Sequence, residues 1–297
     1  MKFYSAYGLT IESALLLPDL TSGKGGVDLR ISLKSPARPA TDEVPGIQCL
    51  SSSPARVHLS WRAVGELVVE DGKRIDITPA PNAAEEALRL FVLGAAFGVL
   101  LHQRGLLVLH GSAVVVGGRV AGFLGAKGWG KSTTAMALRQ RGHPVISDEL
   151  LVIRFDGEDR PLVMSGSSPI KLRSDALSSM GGDPDSSVPV RPGHDKYFVS
   201  ESTIRDGEFP LQGLFLLHAG DRLSVAEVPP TEAFFGVVPH IYVCRFGTGF
   251  LQSTGADRAF RQLGLLLKRT SVMRLYRQRD LNQLSEIAKL VEFHSPQ

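Results

Sequence analysis

The stretch GAKGWGKSTTA, residues 125–135, sets Lys131 and Ser132 directly behind a glycine-rich turn, between the apolar run RVAGFL and the helix-forming MALRQRGH. Gly125, four residues, Gly130, Lys131 and Ser132 make the phosphate-binding loop pattern in its strand-then-helix context. A backbone that wraps a polyphosphate needs residues without a Cβ, which Gly125, Gly128 and Gly130 supply. Successive N–H groups and the positive helix end then face the anion. Lys131 offers a point charge to the β- and γ-phosphates, and the Ser132 hydroxyl is suited to ligate Mg2+. Thr133 joins them at the helix start, and Trp129, inside the loop, is expected to pack over the nucleotide. The loop is therefore expected to hold a nucleoside triphosphate, taken as ATP with Mg2+.

Phosphoryl transfer also needs a group that orients or deprotonates the acceptor and a further acidic ligand for the metal. PVISDELL offers both, with adjacent Asp148 and Glu149 at the end of a predicted strand. Two acids near one metal take different roles when their surroundings differ, one ligating and one accepting a proton. Lys171, Arg173, Arg191, His194 and Lys196 follow on loops and supply cations for phosphoryl oxygens or a peptide carboxylate; Lys196 is the first choice and Arg173 the second.

These groups need a scaffold of strands and helices. Residues 1–84 read as short strands broken by turns. In VDLRISL the alternation puts Val27, Leu29, Ile31 and Leu33 on one face, and Asp71-Gly72 marks a tight hairpin. The Pro-rich stretch around Pro36–Gly46 reads as a loop inside this β-rich module. From Asn82, a candidate N-cap, NAAEEALRLFVLGAAFGVLLHQRG reads as one long buried helix. Two strands joined at Val116-Gly117-Gly118-Arg119 lead into the glycine loop, whose helix ends at Gly142 as C-cap. PVISDELLVIRFD reads as a strand pair. DRAFRQLGLLLKRT and DLNQLSEIAKLVEF read as amphipathic helices around the strand VMRLYR.

Composition excludes several classes. The 297 residues are 43% apolar, enough for a full core in one large domain or two smaller ones. Lys and Arg are scattered among 30 acids, with a net charge of +3 and no interleaved basic and aromatic tract, so nucleic acid is not an expected partner. From Arg258 to Arg279 there are seven Lys or Arg and no acid, which reads first as a solvated helix face. Cys49 and Cys244 lie far apart and read as reduced, buried thiols rather than a zinc site or disulfide. The most apolar stretch is interrupted by His102, Gln103 and Arg104, and the start lacks a signal-peptide core, so no membrane partner and a cytoplasmic address are expected. Trp61 falls in strand alternation and is expected in the core.

The block from Leu109 to Ile153 resembles the kinase domain of HPr kinase/phosphorylase, a protein-serine kinase whose P-loop fold is related to phosphoenolpyruvate carboxykinase. The shared positions are His110-Gly111, the glycine loop, Arg141-Gly142-His143 and the acidic pair, which in that family is Asp-Asp rather than Asp-Glu. The resemblance implies that Asp148 is the general base for a serine hydroxyl, that Ser132 and Glu149 serve the metal, and that His110 sits near the transferred phosphate. His110 by itself also reads as a hydrogen-bonded strand residue. The family's downstream Arg-Gly-Leu-Gly signature has no counterpart here, and the amino-terminal module differs. The layout, with FYSAYGLTIES, LPDL, LHGSAV, ISDELLVI and SSPIKLRSDAL, is similar to HPr kinase-like tailoring enzymes of lasso-peptide biosynthesis. Those enzymes phosphorylate the carboxy-terminal serine of a precursor peptide.

The expectation is an α/β protein, with a β-rich module over residues 1–84, possibly serving substrate recognition, and a P-loop kinase domain of the HPr kinase and phosphoenolpyruvate carboxykinase type over 85–297. The catalytic set is Asp148, Lys131, His110 and Lys196, and the partner is a precursor peptide. HPr kinases assemble as hexamers, so a homo-oligomer is admitted, though no motif here builds it. A small-molecule or HPr-like acceptor, and a module that binds ATP without transferring phosphate, stay open as alternatives.

Overall fold

A computed structural model describes residues 1–37, 46–166, 170–190, 195–200 and 207–295. Arg191, His194 and most of the Pro-rich loop lie outside these. The chain divides into two compact units: Met1–Val108 with Ile241–Phe260, and Leu109–His240 with Arg261–Gln297.

The first unit is built on an eight-stranded sheet in the order β3-β1-β2-β4-β8-β7-β6-β5. Its strands are β1 (Lys2–Ala6), β2 (Leu9–Ser13), β3 (Thr21–Ser22), β4 (Leu29–Leu33), β5 (Ile47–Ser52), β6 (Arg56–Trp61), β7 (Gly65–Glu70) and β8 (Arg74–Pro79). Period-two alternation is cleanest in β7 and β8, where every second residue is buried. In β4, Leu29 and Ile31 are fully buried, whereas the flanking Val27 and Leu33 are exposed. Asp71 and Gly72 both have positive φ, 52° and 61°, as the tight hairpin between β7 and β8 requires.

The helical stretch after the sheet is α1 (Glu85–Leu90), a π-helical segment Phe91–Ala96 and α2 (Phe97–Gln103). Asn82 does not cap it. Asn82 has φ 62° in the preceding turn, and Ala84 is the N-cap, with no side-chain bond. The stretch belongs to the first unit, so the compact division falls later than the expected boundary at residue 84. Aromatic contacts account for this: Trp61 meets Phe91 edge-on at 5.6 Å, and Tyr7 lies 6.2 Å from Phe97. The polar end of the helix is satisfied within the same unit. His102 Nε2 lies 3.3 Å from the Thr254 carbonyl, and Arg104 donates to the Gly72 carbonyl at 2.8 Å. Helix α6 (Thr248–Thr254) reaches β5 through Ser253 and Ser52, whose hydroxyls are 2.7 Å apart. Cys49 and Cys244 are half-buried thiols outside any disulfide, both pushed up in pKa by burial. Among the described residues no helix is long and apolar enough to cross a membrane.

The second unit is mixed α/β. Its elements are β9 (Leu107–Val116), β10 (Arg119–Leu124), α3 (Lys131–Gln140), β11 (Val145–Phe155), β12 (Pro161–Met164), β13 (Ile170–Leu172), α4 (Ser174–Ser179) and β14 (Tyr197–Ser200). There follow β15 (Glu208–Ala219), β16 (Ser224–Glu227), α5 (Pro230–Val237), the latter part of α7 (Ala256–Arg269), β17 (Ser271–Arg277) and α8 (Leu284–Phe293). The main sheet runs β10-β9-β11-β12-β15-β17-β16 and closes a circuit because β10 also pairs with β15. Strands β10, β15 and β17 are mutually parallel, with Leu124 opposite Leu216 and Ala219 opposite Arg277. Their carboxyl ends therefore lie side by side, the position at which open α/β sheets present ligand sites. PVISDELLVIRFD forms one eleven-residue strand, β11, rather than two, so the acidic pair lies inside a strand and not at its end.

Phe123 of β10 stacks on Phe215 of β15 at 5.6 Å with 22° between the rings, and both are fully buried. They join the strand that precedes the glycine loop to its parallel neighbour. Phe215→Ala should cost about 3–5 kcal/mol, read as a lower urea midpoint. A loss below about 1 kcal/mol would show that this stack does not organise the core.

Candidate active site

Strand β10 ends at Leu124, and the chain turns through residues 125–130 into α3. Gly128 and Gly130 hold φ values of 83° and 76°, a region that residues with a Cβ seldom adopt. At Gly125 the constraint is space, since a Cβ there would come within 3.3 Å of both Leu217 and Trp129. Gly130 is the N-cap of α3 and brings no side-chain cap, so the first-turn N–H groups of Lys131, Ser132 and Thr133 form an open, positively polarised helix end.

Lys131 is 9% exposed and its ammonium folds back over the loop, donating to the carbonyls of Gly125 at 2.8 Å and Ala126 at 3.3 Å. Burial drags its pKa from 10.5 to about 8; Asp148 and Glu149 oppose the shift and Lys196 adds to it. Lys196 therefore lies within electrostatic range of Lys131.

Asp148 is 5% exposed, and its carboxylate is held by three donors. Oδ1 accepts from the Ser132 hydroxyl at 2.9 Å and from the Ser112 hydroxyl at 2.6 Å, while Oδ2 accepts from the Lys171 backbone N–H at 3.3 Å. Glu149 accepts from Lys171 Nζ at 3.2 Å. Consecutive residues of a strand normally project to opposite faces, yet both acids meet the same lysine. The backbone shows how: Glu149 has φ 98°, a strained value for a residue with a Cβ, which breaks the alternation inside β11.

Other predicted positions fall around this centre. The β9–β10 register sets Gly111 opposite Leu124, so His110 is the β9 residue at the level where the glycine loop begins. Trp129 is enclosed by protein on more than one side, with the Arg279 guanidinium 5.4 Å from its ring centre and His218 edge-on at 6.1 Å. Arg141 and His143 face away from this chemistry. Arg141 grips Glu292 of α8 with bonds of 2.6 and 2.8 Å, His143 lies 2.8 Å from the same carboxylate, and Arg141 first among them holds Glu292 at a pKa of about 2. Arg173 pairs with Asp195 at 2.9 Å on the surface.

Three residues near the loop were not singled out from the sequence. Ser112 carries a fully buried hydroxyl on β9, the strand that also holds His110. Arg277, 9% exposed at the end of β17, donates to the Trp129 carbonyl, and any Cβ on Gly130 would collide with its guanidinium. It lay hidden in a basic run whose members are largely engaged in the fold: Arg258 bonds the His102 carbonyl at 2.6 Å and Arg274 pairs with Glu232 at 3.2 Å. His240, just after α5, is held down to a pKa of about 4 by burial and then by the neighbouring charge of Lys131.

Among the described residues no group of three His, Cys, Asp or Glu could enclose a metal. The Ser132 hydroxyl spends its proton on Asp148 and keeps its lone pairs for a metal ion.

Comparison with known proteins gives a partial likeness. No protein-family model matches the chain. A 67-residue segment is 40% identical to an HPr kinase/phosphorylase of Caldanaerobacter subterraneus, covering 23% of this chain and 21% of that protein. The chain thus spans about a fifth of the length of the curated relative it matches. The structure of the Hpr(Ser) kinase/phosphatase from Coxiella burnetii aligns over 63% of this chain and 95% of its own, with a TM-score of 0.34 and 11% identity.

The state of Lys131 gives a pH prediction. In the free protein its charge is present below about pH 8 and lost above it. A bound polyphosphate stabilises the charged form, so the complex keeps the proton to higher pH. ATP affinity should be level up to about pH 7.5 and weaken above pH 8, by at most about tenfold per pH unit. Calorimetric titration between these limits checks it, and an affinity that does not change up to pH 10 would contradict it.

Proposed function

We propose that this chain is an ATP- and Mg2+-dependent kinase that phosphorylates a serine hydroxyl of a peptide. The observation that carries the reading is the bond from Ser132, in the first turn after the glycine loop, to Asp148 on β11. It joins a phosphate-binding backbone to a buried carboxylate at one point. A glycine-rich turn that only capped a helix would have no use for it. The segment 40% identical to an HPr kinase/phosphorylase supports the same chemistry.

In this reading the N–H groups of Gly128 and of Gly130 to Thr133, with the Lys131 ammonium, bind the β- and γ-phosphates. Ser132 is the nearest metal ligand, with Glu149 behind it. Ser132 and Glu149 would hold a Mg2+, which would supply charge neutralisation to the transferring phosphoryl group. Asp148 accepts the proton of the acceptor serine, whose oxygen bonds to the γ-phosphorus as the bond to the bridging oxygen breaks and ADP departs. Lys196, with His110, stabilises the equatorial oxygens. Arg277 braces the loop through the Trp129 carbonyl.

The acceptor is the carboxy-terminal serine of a lasso-peptide precursor, following the likeness in layout, and the amino-terminal β-rich module recognises that peptide. The kinase centres on the second unit, Leu109–His240 with Arg261–Gln297, and works in the cytoplasm.

Asp148→Asn keeps the size and most of the hydrogen bonds of the side chain but removes its basicity. It should lower phosphoryl transfer at least about a hundredfold while changing ATP affinity by less than about threefold. Mass spectrometry of peptide incubated with protein, Mg2+ and ATP reads transfer as an increment of about 80 Da per phosphoryl group. Wild-type protein that binds ATP but modifies no peptide, HPr-like protein or metabolite would leave a nucleotide-binding module in place of a kinase.

A further inference from the structure

We propose that Ser112 is a positioning residue: its hydroxyl fixes which oxygen of Asp148 faces the reaction. The inference rests on the kinase reading above and assigns a role to a side chain outside the phosphate-binding loop and the acidic pair. Ser112 lies on β9, adjacent to β11 in the sheet, and is fully buried, so its hydroxyl has no water to bond. Its donor is directed to Asp148 Oδ1 at 2.6 Å, the shorter of the two hydroxyl bonds on that atom.

A carboxylate oxygen offers two lone-pair sites in its plane. Ser112 and Ser132 fill both sites on Oδ1. Oδ2 carries one long bond, 3.3 Å from the Lys171 N–H, and retains one site. An acceptor hydroxyl or a metal-bound water can therefore be received only at Oδ2. Ser132 alone would allow the carboxylate to turn and exchange its oxygens. The second hydroxyl, arriving from β9 rather than α3, removes that freedom. Ser132 donates its proton to Oδ1 beside Ser112, which would leave the Ser132 oxygen lone pairs to a Mg2+.

A buried serine at this place would also contribute to stability, so the test separates the two roles. Ser112→Thr and Ser112→Val add nearly the same volume and differ in the hydroxyl alone. Two quantities are read for each: kcat and KM for ATP in the peptide assay, and the Mg2+ concentration that half-saturates ATP binding, which needs no acceptor. S112T should stay within about threefold of wild type in both. S112V should lose about tenfold to a hundredfold in kcat, the kinetic equivalent of one hydrogen bond to a charged group, with KM for ATP nearly unchanged. It should also need several times more Mg2+.

Should the added methyl prevent both from folding, Ser112→Ala decides, with the same expectation as S112V. Equal kcat and equal Mg2+ dependence in S112T and S112V, or an S112A protein with wild-type kcat, would overturn the proposal. Wild-type protein that neither binds ATP nor transfers phosphate would instead bring down the kinase reading, and the Ser112 role with it.

Discussion

A single carboxylate oxygen, Oδ1 of Asp148, receives hydroxyl protons from two elements, β9 through Ser112 and α3 through Ser132. A charge this deeply buried is tolerated only when its oxygens are hydrogen-bonded, and here the donors come from Ser112, Ser132 and the Lys171 backbone. Satisfying the charge therefore fixes the start of α3 against β11, and with it the glycine loop. Were Asp148 exposed, the loop would have no such anchor on this side. On the other side Arg277 holds the Trp129 carbonyl from β17, so the turn is secured from two strands at once.

The arrangement also explains an unusual backbone. Two adjacent acids in a regular strand would be separated by the sheet. Glu149 adopts φ 98° within β11, a conformation that costs about 1–3 kcal/mol and persists only where its surroundings enforce it. The Lys171 side chain, bonded to Glu149 while its backbone serves Asp148, is the visible restraint. Lys131 and Lys171 stand by the pair and Lys196 lies within electrostatic range of Lys131, with His240 kept neutral by burial and by Lys131. The site thus holds its cations close together without a matching number of acids, which suits an incoming polyphosphate.

Much of this was legible in the chain because glycine, lysine and hydroxyl residues at fixed spacing have few other uses. The strand, loop and helix around GAKGWGKS, the Gly142 stop of α3 and the hairpin at Asp71-Gly72 follow from local chemistry. What local patterns do not carry is which distant residue completes a site. Ser112 is one serine among many until β9 and β11 are adjacent. Arg277 sits in a basic run that reads as solvated surface, although folding buries it at a strand end. PVISDELL places the acidic pair at a strand terminus, whereas tertiary bonds keep β11 continuous through both acids. Asn82 was similarly misplaced, since a left-handed turn served it better than the cap two residues later.

The account turns on whether the loop from Gly125 to Ser132 binds a polyphosphate through Lys131. The most direct measurement is titration of Mg2+–ATP into the wild-type chain and into Lys131→Ala, following heat and the fluorescence of Trp129 in a Trp61→Phe background. One nucleotide per chain, bound at least about tenfold more weakly by the variant, is the predicted result for loss of a buried charge-assisted contact. Equal binding by both proteins, or none by the wild type, would contradict it.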